Sequence, residues 1–97
     1  MTTSGIDRMD RNIYVRYVLK ILVETYLINQ AQLAYRIGVQ PKYLREFTNG
    51  SRNIGNKRLD DIEEIISELY RPILEEELPS TPEELSNLLE IIRPSNI

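Results

Sequence analysis

The chain has no cysteine, no histidine and no tryptophan, and a single phenylalanine. Without cysteine there are no disulfides and no thiolate chemistry, and without histidine the usual general base and the commonest zinc ligand are missing. Catalysis would be left to carboxylates, lysines and hydroxyls, and these residues assemble no nucleophile with its base, no metal cluster and no phosphate loop. No apolar run approaches the roughly 20 residues that cross a bilayer, and residues 1–10 lack the apolar core of a signal peptide. The expectation is a cytoplasmic protein that is not an enzyme and needs no metal or cofactor.

What is present suits one small domain: 97 residues, 41% of them hydrophobic, enough for a modest core. The net charge of −3 hides a division. Through Leu59 there are 10 basic and 4 acidic residues, net +6; from Asp60 onward there are 2 basic and 11 acidic, net −9; the sum is −3. A polyanion responds to the local face rather than the whole-chain average, so this points to a basic working surface on an acidic support. The plainer alternative is that the acids only solvate amphipathic helices.

Residues 1–10 are polar and aperiodic and read as a flexible arm, with Arg8 and Arg11 solvated. From 11 to 27 the chain is dense with apolar groups, and Arg16, Lys20 and Glu24, which break the run, lie four apart and so form one stripe on a helix. A helix apolar nearly all round needs cover, either from the C-terminal segment or from a second subunit. A further helix is expected from about residue 56 or 57 to Tyr70, with Leu59, Ile62, Ile65, Ile66, Leu69 and Tyr70 inward and Asp60, Asp61, Glu63, Glu64 and Glu68 mostly outward. Pro72 bends or ends it. Thr81-Pro82-Glu83-Glu84 is a capping box with proline at the first helical position, and Leu85, Leu88, Leu89 and Ile92 continue that helix until Pro94 stops it. Glu75, Glu76 and Glu77, without companion ligands, read as a solvated face.

The most informative stretch is 29–50. Asn29 can cap a helix, with Gln32 three positions on; Leu33, Ala34 and Ile37 share one face. Gly38 supplies the left-handed residue that ends a helix, and Val39 pins the turn. Pro41 suits the start of a second helix, with Gln40 a weak cap; Leu44 and Phe47 are its inner edge, and Asn49-Gly50 ends it. Two short helices and a tight turn result, followed by a polar loop over 51–56 that carries Arg52.

At Gln30, Leu33-Ala34, Gly38-Val39, Leu44 and Asn49-Gly50 the sequence resembles the helix-turn-helix family of Cro and the lambdoid cI repressors, also called the xenobiotic response element family. The likeness covers about 29–69. It implies an all-α fold, a lambda-repressor-like bundle of about five helices, whose second short helix (41–49) enters the DNA major groove. On that resemblance Gln40, Lys42, Tyr43 and Glu46 would read bases, while Gln30, Arg45, Asn49, Arg52 and Lys57 would meet phosphates. Pro41 departs from the pattern, since many relatives carry a base-reading polar residue there, and Gln40 replaces the usual Ser or Thr cap.

The expected function is a sequence-specific double-stranded DNA-binding transcriptional regulator of repressor type. It would act as a homodimer through the first helix, the helix Pro82–Ile92, or both. The competing expectation is a protein-interaction module, such as an antitoxin or anti-repressor, that uses the helix-turn-helix as scaffold and grips a partner with its acidic C-terminal part. In domain terms the reading is an arm (1–10), a DNA-binding domain (11–71) and an acidic helical extension (72–97).

Overall fold

Asp7 begins the ordered architecture: its carboxylate accepts the amide of Asp10 at 3.1 Å, which caps the first helix three residues earlier than the apolar run announces. The computed structural model describes residues 7–93. Among them are five α-helices: α1 (Arg8–Lys20), α2 (Gln30–Ile37), α3 (Pro41–Thr48), α4 (Asn56–Glu77) and α5 (Pro82–Ile92). No strand occurs among the described residues, so the expected small all-α bundle is what forms. Most of the expected arm, and the stop at Pro94, lie outside the described residues.

The first helix departs from expectation at its far end. It leaves the α pattern after Lys20 for a π-helical turn, Ile21–Thr25, in which the Tyr26 amide donates to the Ile21 carbonyl at 3.2 Å. Leu27 then takes a left-handed φ of 57°, and the chain turns into α2. The π turn keeps Leu22 in the core while the chain changes direction, and Leu27 is left 82% exposed.

Tyr14, Val15, Val18 and Leu19 of α1 are buried, and α1 packs on α3, α4 and α5. Of the two covers open to this helix, the chain itself supplies one. Leu89 of α5 is buried and Leu85, Leu88 and Ile92 are half-buried against the same core. Arg93, just past α5, pairs with Asp10 at 2.7 Å. The end of α5 therefore meets the start of α1.

The 22 residues of α4 include a kink at Tyr70 (φ −128°, ψ 26°). Pro72 is its cause, since its ring collides with the carbonyl four residues earlier and it has no N–H to give. Past the kink the helix continues, and Leu74 and Leu89 join the core that contains Leu44, Phe47 and Leu59. Residues 73–92 thus contribute side chains to the same core. The outward expectation fails at Glu63, which is 7% exposed, and the inward one at Leu69, which is 39% exposed. At α5, the Thr81 hydroxyl accepts the Glu84 amide at 3.2 Å, while the Glu84 carboxylate returns to the amide of Ser80 at 3.0 Å. The return bond of the capping box has moved one residue outward.

Candidate nucleic-acid interface

Asn29 caps α2 through the Gln32 amide at 3.0 Å. At the other end Gly38 takes φ 93°, and the amides of Gly38 and Val39 both donate to the Ala34 carbonyl, at 2.9 and 3.0 Å. A Cβ at Gly38 would meet nothing within 4 Å, so glycine is required there by the backbone angle alone. Three residues separate α2 from α3, and Pro41 opens α3 with no side-chain cap from Gln40.

At 100° per residue, the buried Leu44 and Phe47 fix the inner side of α3 and place Lys42, Arg45, Glu46 and Asn49 on the outer side, at i, i+3, i+4 and i+7. One flank faces the start of α2, where Gln30 Nε2 donates to Thr48 Oγ1 at 2.7 Å. The other faces the following loop. There Arg52 Nε and Nη2 donate to Glu46 Oε1 at 3.2 and 3.1 Å, and the guanidinium carbon lies 4.7 Å from the Tyr43 ring centroid.

These contacts sort the expected site residues. Gln40, Lys42 and Arg45 are exposed, and Lys42 and Arg45 have no ion-pair partner among the described residues. Lys57 is likewise exposed, in the first turn of α4. Gln30 is spent in part on clamping α2 to the end of α3. Asn49 Oδ1 accepts the Ser51 amide at 2.9 Å and also the Ser51 hydroxyl, which shapes the loop. Arg52 is paired, and to Glu46 of the preceding helix. Gln40 and Tyr43 also line, with Tyr35, Gly38, Val39 and Arg58, an open cleft of about 450 Å³ at the mouth of the turn.

The loop that carries Arg52 is fixed from α1. Asn12 is 1% exposed and meets the main chain of Ile54 twice: its Oδ1 accepts the Ile54 amide at 2.7 Å and its Nδ2 donates to the Ile54 carbonyl at 2.9 Å. Arg16 donates from Nε to the Phe47 carbonyl at 2.6 Å and from Nη2 to the Arg52 carbonyl at 3.1 Å and Asn53 Oδ1 at 2.7 Å. Its guanidinium stands 4.9 Å over the Phe47 ring. Burial pulls the Arg16 pKa below its ordinary value. The expectation of a solvated Arg11 is wrong. Arg11 is 4% exposed and pairs with Asp60 at 2.7 Å and with the buried Glu63 at 3.4 Å. The sequence carried a trace of this in three polar side chains, at 11, 12 and 16, that interrupt an apolar helix, but Ile54 in a polar loop gave no hint of its burial.

No family model, curated protein or solved structure matches the chain. The candidate interface is a short helix seated on a second one, with two cations, Lys42 and Arg45, that have no ion-pair partner among the described residues along its outer side, and a loop locked beside it. Such a helix is narrow enough to enter a major groove, and Lys42 and Arg45 suit base edges and phosphates.

Proposed function

We propose that the chain is a sequence-specific double-stranded DNA-binding regulator that reads the major groove with α3. The observation that carries this reading is the outer side of α3, where Lys42 and Arg45 stand exposed and unpaired between Gln30 on one flank and Arg52 on the other. The resemblance at 29–69 to the Cro and lambdoid repressor family, and the net +6 of the chain through Leu59 (10 basic, 4 acidic), support it. A single unit of this size reads few base pairs, so we propose a homodimer on an inverted repeat. With α1 and the inner side of α5 packed on each other, the outer edge of α5, where Ile91 is 79% exposed, is one apolar surface open to a second copy.

The test is anisotropy titration of a duplex selected from a random pool, repeated over a range of salt. Affinity falls steeply as salt rises, and Lys42→Ala with Arg45→Ala weakens binding by at least tenfold. Binding indifferent to salt and to both substitutions overturns the reading. The interaction-module reading rests on a separate feature, the acidic side of α4, where Asp60, Glu64 and Glu68 border an open groove of about 510 Å³. Glu64→Lys with Glu68→Lys would abolish partner capture under that reading and leave DNA affinity intact or raised under ours.

A further inference from the structure

Glu46 is the one acid on the outer side of α3. A carboxylate there is repelled by phosphate unless something neutralises it. Arg52 does so, and its own position is over-determined. Its amide donates to the Glu46 carbonyl at 3.2 Å, and its carbonyl accepts from Arg16 at 3.1 Å. Its guanidinium lies over Tyr43. Both side-chain donors reach the same carboxylate oxygen, Oε1, at 3.2 and 3.1 Å. Oε2 of Glu46 has no hydrogen-bond partner among the described residues, and the side chain keeps 30% of its exposure.

A carboxylate oxygen can only accept. In the major groove the donors are the exocyclic amino groups of cytosine and adenine, and adenine sets its N7 acceptor beside the amino group, where it repels a second carboxylate oxygen. Cytosine N4 is the better match. For Arg52 to turn Nε and Nη2 to a phosphate instead, it would strand an uncompensated Glu46 next to the DNA backbone.

Resting on the reading that α3 enters the major groove, we propose that Arg52 is a positioning residue rather than a phosphate ligand. It neutralises and orients Glu46, whose free Oε2 accepts the N4 amino group of one cytosine in the site.

The experiment measures binding of the full chain to the selected duplex and to variants of it in which each base pair is changed in turn, at several salt concentrations. Glu46→Ala and Arg52→Ala each remove the preference for cytosine at the same single position, a loss of roughly 5- to 150-fold there, and the double variant loses no more. The salt dependence of Arg52→Ala matches that of the parent. Glu46→Gln, which keeps the shape of the side chain and so guards against a folding defect, moves the preference at that position from cytosine to adenine, because an amide can serve both N6 and N7. The proposal is overturned if Arg52→Ala weakens binding equally on every duplex and lowers the salt slope by about one, the mark of a lost phosphate contact. It is also overturned if Glu46→Gln leaves the base preference unchanged. Should the parent bind no duplex in a salt-dependent way, the DNA reading itself fails, and the inference falls with it.

Discussion

Helix α1 meets the rest of the molecule with two chemistries, one at each end. Toward its N-terminus Arg11, Asn12 and Arg16 hold the 52–56 loop and the start of α4 by hydrogen bonds and ion pairs. Toward its C-terminus Val18, Leu19 and Leu22 are fully buried among apolar side chains. Apolar contact is non-directional and sets how stable the bundle is, but it tolerates small slips. Hydrogen bonds to named carbonyls and amides allow one register. The polar end is also the end that carries the loop beside α3, so the directional contacts stand where the proposed reading surface would need a fixed position.

The comparison is broken most forcefully at the apolar end. Leu19→Ala leaves a cavity among buried neighbours, and about 2–5 kcal/mol of stability is lost. Chemical denaturation measures the loss. Under the division above, DNA affinity at a temperature where the variant is folded stays at the parent's value. A parallel fall in affinity would show that the apolar end also sets the position of α3.

At the polar end Asn12→Ala strands the Ile54 amide and carbonyl in a buried place, which costs about 1–3 kcal/mol. Here stability and function move together. The loop with Arg52 loses its register, so under the proposed reading the base preference at the Glu46 position weakens even where the protein is fully folded. If Asn12→Ala lowers the melting temperature and leaves base preference intact, Asn12 holds the core and nothing more.

How much of this was legible in the sequence follows the same line. The turn at Gly38, the proline at the head of α3, the kink before Pro72 and the cap at Thr81 are written in single residues whose backbone chemistry is local, and each stands where the sequence placed it. The inner sides of α2 and α3 followed from spacing alone. The partners of Arg11 and Arg16 were not readable, because an arginine's spacing within its own helix says nothing of a carbonyl or carboxylate 31 to 49 residues away. Glu46 is only six residues from Arg52, but the two are separated by the end of a helix and a turn, where helical spacing no longer applies. The π turn was hidden for another reason. The run from Ile21 to Leu27 has the composition of a continued helix, and only the demand that α2 return across the core bends it. The candidate site was legible as an exposed helix face, but not in the pairing of Arg52 with Glu46, which changes the role of both.

Tyr14 lies on α1 between Asn12 and Arg16 but is buried with the core, and its titration tests which of the two chemistries governs it. Its ring is buried with the apolar core, while its hydroxyl feels Glu63, the acid paired with Arg11, and also Tyr17. Burial first, then the negative charge of Glu63, pushes its pKa up from 10.0 to about 12. The folded state therefore holds the phenolic proton more tightly than the unfolded chain does. Below pH 10 both states are protonated and the contribution to stability is complete. Between pH 10 and 12 the unfolded chain ionises while the native hydroxyl does not, so stability declines by on the order of 1–2 kcal/mol across that window. Denaturation midpoints taken from pH 9 to 12 should show this slope in the parent and a shallower one in Tyr14→Phe. Removing the acid in Glu63→Gln leaves burial as the main cause, so most of the slope persists. If instead the slope vanishes with Glu63, the charge on α4 governs this residue, and Tyr14 belongs with the polar contacts of Arg11, Asn12 and Arg16 rather than with the apolar core.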